Sequence, residues 1–157
     1  MSTSVVVGCD SEDFFVIGSE SPPELALKNP FEATGVHTGV NAYVSVSVDV
    51  LDQPPARFDE DAYATVLEDS LQVSAGKLRF VDPVGVEDDA AVAAPNGWLR
   101  LRIALKYDPY GDEVLDESLR HEQHVRLQCW PAEPAGYVLI KGWDPHAGLH
   151  IKPLDGA

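Results

Sequence analysis

A chain of 157 residues, 45% hydrophobic, carries 26 Asp and Glu against 11 Lys and Arg for a net charge of −15 at pH 7. The apolar content excludes a disordered chain and suffices for one packed domain over residues 1–157, while the negative field repels nucleic acid and anionic membrane and attracts basic proteins or cations. No apolar run approaches the roughly 20 residues needed to cross a bilayer, and residues 1–8 lack the basic region and long apolar stretch of a secretion signal, so a cytoplasmic location is expected.

The charge is lopsided. Residues 1–70 hold 13 acids and only two bases, Lys28 and Arg57, giving −11; residues 71–157 hold 13 acids and nine bases, giving −4. Along the chain the pattern is β throughout. Phe14, Phe15, Val16 and Ile17 form a short apolar run after the acidic turn Asp10-Ser11-Glu12-Asp13. Residues 18–39 are rich in turn formers, including Pro22, Pro23, Pro30 and Gly35, and leave room only for a short helical turn at 23–27. Residues 43–50 alternate cleanly, with Val44, Val46, Val48 and Val50 on one face and Ser45, Ser47 and Asp49 on the other. That period of two predicts a half-buried antiparallel strand.

Gln53-Pro54-Pro55 ends it, because proline cannot donate to a ladder. Residues 63–73 follow as a strand, with Thr65, Leu67, Asp69, Leu71 and Val73 on one parity. A turn at Gly76 leads into a strand over 77–81, and residues 83–97 read as loop. Residues 98–106 alternate again, placing Leu99, Leu101, Ile103 and Leu105 inward and Trp98, Arg100, Arg102 and Lys106 outward. After an acidic loop at 108–117, residues 124–130 turn Val125, Leu127 and Cys129 inward and Arg126, Gln128 and Trp130 outward. A last apolar run begins at Tyr137. Turns about every ten residues predict an all-β fold, an antiparallel β-sandwich or open barrel of about seven to eight strands.

Candidate chemistry is sparse. Cys9 and Cys129, near opposite ends of the chain, read as small, reduced, buried residues; there is no CxxC pair and no zinc-type Cys/His spacing. His121 and His124 stand three apart, which on a strand puts them on opposite faces. His146 and His150 have a helical spacing, but Pro145, Gly148 and Pro153 argue against a helix there. Asp59-Glu60-Asp61 and the group Asp112, Glu113, Asp116 and Glu117 supply oxygens without the EF-hand pattern. There is no GxSxG elbow, P-loop or dinucleotide fingerprint, so neither an enzyme, a metal nor a cofactor is indicated. Arg100, Arg102 and Arg126 make a basic stripe, read first as cross-strand partners for acids and second as an anion site. Trp98, Trp130 and Trp143 form a sugar-stacking or protein-binding platform only if they gather on one surface; core packing is the plainer reading.

Phe14-Phe15-Val16 leading to Ser21-Pro22-Pro23, the strand pair around Gly76, and Leu127-Gln128-Cys129-Trp130 with Pro131-Ala132-Glu133 behind it together resemble the competence-nuclease inhibitor family. The resemblance implies a small intracellular β protein that neutralises a nuclease. The charge points the same way, because a cleft built for phosphate is basic and an acidic surface can occupy it. The expectation is a non-enzymatic inhibitor or immunity-type protein binding a basic partner, a nuclease foremost. The partner-binding carboxylates expected are Asp59, Glu60, Asp61, Glu68 and Asp69, with Asp112, Glu113, Asp116 and Glu117 as a second patch. The alternative is a β-sandwich module binding a small ligand, carbohydrate or calcium.

Overall fold

The computed structural model describes residues 2–9, 12–39, 43–55, 62–82, 88–107 and 123–142. In chain order these form β1 (Ser2–Gly8), β2 (Asp13–Ile17), α1 (Pro23–Ala26), β3 (Ala33–His37), β4 (Tyr43–Val50) and β5 (Thr65–Val73). There follow β6 (Lys77–Val81), β7 (Asp88–Ala93), β8 (Gly97–Leu105), β9 (His124–Pro131) and β10 (Val138–Lys141). Two sheets result, one ordered β1-β4-β9-β8-β5-β10 and the other β3-β2-β6-β7, and neither closes on itself.

Alternation builds the inner face of the larger sheet. Val44, Val46 and Val48 on β4, Leu99, Leu101 and Ile103 on β8, and Val125 and Leu127 on β9 are all buried in one cluster. The smaller sheet contributes Phe14, Val16, Leu78 and Phe80 to the same cluster, so the two sheets share a core. The Phe14 and Phe80 rings meet across β2 and β6 at 6.3 Å between centroids. β2 is a continuous apolar run because both of its faces are covered: Phe15 and Ile17 pack outward against Val81, Ala33 and Ala26 of α1.

Gly18 lets the smaller sheet approach the larger one. A Cβ there would stand 2.4 Å from the Gln72 carbonyl oxygen, while the Gly18 carbonyl accepts hydrogen bonds from the amides of Ser74 and Ala75. Gly76, at φ 70°, takes the left-handed conformation that turns β5 into β6.

Three expectations need correction. The described residues hold ten strands rather than seven or eight. The additional ones are β1 in the N-terminal segment, β3 inside the turn-rich 18–39 stretch, and β7 in the stretch read as loop. The larger sheet is also not purely antiparallel, since β4 and β9 run parallel from Ser45↔His124 to Val50↔Cys129. These strands need no hairpin between them: the chain makes β5 to β8 before β9 inserts between β4 and β8. Cys9 and Cys129 are both buried, the position expected of them. Among the described residues no helix is long and apolar enough to cross a membrane.

Candidate functional site

The polar chemistry gathers on the outer face of the six-stranded sheet. Directly opposed strands place Glu68 across from Arg102, and Ser70 across from Arg100. Glu68 is shared between two guanidinium groups: its Oε1 lies 3.2 Å from Arg100 Nε and its Oε2 lies 2.7 Å from Arg102 Nη2. Arg100 is buried because the connection from β9 to β10 crosses over it. Its Nη1 donates to Ser70 Oγ and the Ala135 carbonyl, and its Nη2 donates to the Gly136 carbonyl at 2.8 Å. Arg102 lies over the Trp130 ring, 5.5 Å from its centroid. The first reading of the basic stripe therefore holds for Arg100 and Arg102, which are engaged by an acid of the neighbouring strand.

The expected contact carboxylates divide sharply. Asp59, Glu60, Asp61, Asp112, Glu113, Asp116 and Glu117 lie outside the described residues. Glu68 is held between the two arginines. Asp69 corrects the expectation of a surface position outright: it is fully buried on the inner face of β5, where its Oδ2 accepts the Thr34 hydroxyl and its Oδ1 accepts the Ser70 amide. Strand parity is the physical reason, because Asp69 shares the face of Leu67 and Leu71. The exposed carboxylates among the described residues are instead Glu20, Glu24, Asp52 and Glu133.

Further along the same outer face, β4 and β9 bring together a second group. Ser47 Oγ lies 3.1 Å from His124 Nε2, and Arg126 Nη2 lies 3.4 Å from Asp49 Oδ2. Asp49 also accepts the Ser2 hydroxyl from β1. Lys106, just past the end of β8, donates its amide to the His124 carbonyl and so sets its side chain beside the imidazole. Partial burial, and after it the charges of Lys106 and Arg126, push the His124 ring below its ordinary value. Alternation turned Lys106, Arg126 and Ser47 outward in the sequence, but only the parallel insertion of β9 beside β4 brings them to one place.

The remaining candidates are accounted for locally. His37 pairs with Asp13 at 2.7 Å across the β2–β3 hairpin, while His121, His146 and His150 lie outside the described residues. Among the described residues no three His, Cys, Asp or Glu side chains cluster as metal ligands. Burial and the neighbouring Asp49 push the Cys129 thiol up to about 12, so it presents no thiolate at neutral pH. Trp130 is buried beneath Arg102, and Trp98 packs edge-on against Phe31 at 5.7 Å; Trp143 lies outside the described residues. The two described tryptophans do not form an exposed platform.

No protein-family model and no curated protein matches the sequence. Solved structures do match the fold. ComJ of Bacillus subtilis, described as an inhibitor of the DNA-degrading activity of NucA, superposes with a TM-score of 0.55 over 84% of this chain and 96% of its own, at 10% identity. The fold is shared with ComJ. A protein described as Crocagin biosynthetic gene J superposes with a TM-score of 0.51, again over 84% of this chain and 96% of its own, at 12% identity. The resemblance read from 14–23, the Gly76 turn and 127–133 is thus matched at the level of the fold.

Proposed function

We propose that this chain is a non-enzymatic inhibitor that binds a basic protein partner, a nuclease foremost, and blocks its cleft. The observation that carries the reading is the shared fold with ComJ, a nuclease inhibitor, over 84% of the chain. The net charge of −15 supports it, because an acidic surface complements a cleft evolved for a polyanion and speeds encounter with it. In this reading Asp59, Glu60 and Asp61, together with Asp112, Glu113, Asp116 and Glu117, supply the contact carboxylates. Glu68 and Asp69 support the sheet and the core. The protein acts in the cytoplasm as a single β-sandwich domain.

The test has two stages. The chain is immobilised in lysate of its source cell at low salt, retained proteins are released by raising the salt, and the released protein is identified. That protein is then assayed for DNA cleavage with and without the chain. Salt-released capture of a DNA-cleaving protein that the chain silences bears the proposal out. A captured partner whose DNA cleavage is indifferent to the chain sinks it.

A further inference from the structure

The basic side chains on the outer sheet face are not equivalent. Arg100 and Arg102 are committed to Glu68 and to the β9–β10 connection at distances down to 2.7 Å. At the other end of β8 and β9, Lys106 is exposed, and among the described residues its side chain lies over the face of its neighbour Tyr107 at 5.1 Å. His124 is half-buried between Lys106 and Arg126, and its described hydrogen-bond partner is a hydroxyl, Ser47, rather than a carboxylate. Asp49, the described acid on the adjoining stretch of β4, engages Arg126 from the side away from His124, since its register partner is Gln128. Ser45, exposed and in register with His124, adds a second hydroxyl. In a chain of net charge −15 this is a local excess of hydrogen-bond donors.

We propose that Lys106, His124 and Arg126, with the hydroxyls of Ser45 and Ser47, form a binding site for a phosphate group. The donor set suits a tetrahedral oxyanion. Lys106 offers a compact point charge, Arg126 a planar fork, and the serines hydroxyls that rotate to meet an oxygen. His124 supplies the coupling: neutral beside two cations, it gains a proton when a doubly charged anion arrives, and becomes a third cation facing the ligand. The surrounding negative field opposes the approach of an anion, yet it is long-ranged and screened by salt, whereas contacts within the cluster are not. The inference is independent of the inhibitor reading.

The test follows the histidine ring signals of the full chain by NMR while inorganic phosphate replaces chloride at a constant ionic strength of about 0.15 M, where the Debye length is about 8 Å. The titration midpoint of His124 is expected to rise saturably by about one pH unit. The ring signals of His37, paired with Asp13 on the four-stranded sheet, are the internal control and are expected to show no saturable response to phosphate. Lys106→Gln, at an exposed position whose backbone bond to His124 is retained, is expected to weaken the binding several-fold in a chain that still folds. A nucleoside 5′-monophosphate forms the second arm. Tighter binding than phosphate assigns the site to a nucleotide end, and equal binding assigns it to the phosphate alone. No saturable shift at His124 up to tens of millimolar phosphate overturns the proposal. So does a parallel drift of His37 and His124, or an unchanged response in Lys106→Gln.

Discussion

Thr34 on β3 donates its hydroxyl to Asp69 on β5, a buried polar bond between the two sheets. Both residues are fully buried. Removing a buried acceptor of this kind is costly, because its donors lose a partner that water cannot replace. Asp69→Ala is expected to lose about 1–3 kcal/mol of stability in urea unfolding, as is Thr34→Val to a lesser degree. The double variant Thr34→Val with Asp69→Leu removes donor and acceptor together and is expected to recover part of the loss. If the double variant loses the full sum of the two singles, the bond does not couple the sheets.

Glu68 makes a different prediction although it is the adjoining residue. It sits on the outer face, yet its side chain is only 17% exposed and satisfies both Arg100 and Arg102. Its removal leaves a nearly buried guanidinium at Arg100 whose other described acceptors, the Ser70 hydroxyl and the Ala135 and Gly136 carbonyls, are neutral. Breaking such a pair from one side costs about 3 kcal/mol, far more than an exposed ion pair contributes. Glu68→Ala is therefore expected to unfold at markedly lower urea, whereas Glu133→Ala, at an exposed position, is expected to leave the midpoint unchanged. Equal midpoints for the two variants would show that the shared carboxylate is not structural.

These two acids also show what the sequence could and could not convey. Parity alone assigned Asp69 to the face of Leu67 and Leu71, but residue type suggested a surface, and the deciding donor Thr34 lies 35 positions away on another sheet. The strands with bulky alternation, β4, β8 and β9, were legible because each carries its own burial pattern. β7 was not, since Asp88-Asp89-Ala90-Ala91-Val92-Ala93 has little intrinsic preference for a strand and becomes one by pairing with β6. β3 was hidden among turn formers for the same reason: its partner β2 confers the extended conformation. The cluster around His124 needed the parallel β4–β9 pairing, which no local pattern announces.

His124 gives a pH dependence whose sign is fixed. Its ring in the folded protein binds a proton less readily than in the unfolded chain, chiefly through burial and then through Lys106 and Arg126. The unfolded state therefore takes up more protons, and stability rises with pH across that window. The contribution is fully present above the unfolded value near 6.5 and is lost progressively as the pH falls below it. Replacing the residue, as in His124→Gln, is expected to flatten this limb of a urea-midpoint profile as the pH falls below about 6.5. An unchanged slope in the variant would place the acid sensitivity elsewhere.

The inhibitor reading raises a question of field against patch. Steering depends on the charge of the whole chain, whereas docking depends on where the carboxylates stand. Reversing Asp59, Glu60 and Asp61 to lysine moves the net charge from −15 to −9. Reversing Glu20, Glu24 and Asp52, which are exposed on described parts of the chain, makes the same change elsewhere. Glu68 and Asp69 are left untouched, because their loss would destabilise the fold and mimic a loss of binding. If Asp59, Glu60 and Asp61 contact the partner, the first triple variant slows association about tenfold or more beyond the second and loses most of its salt dependence. Both effects are read from association rates over a salt series. Equal slowing by the two variants would remove the patch from the explanation and leave the overall field, with docking carried by other residues.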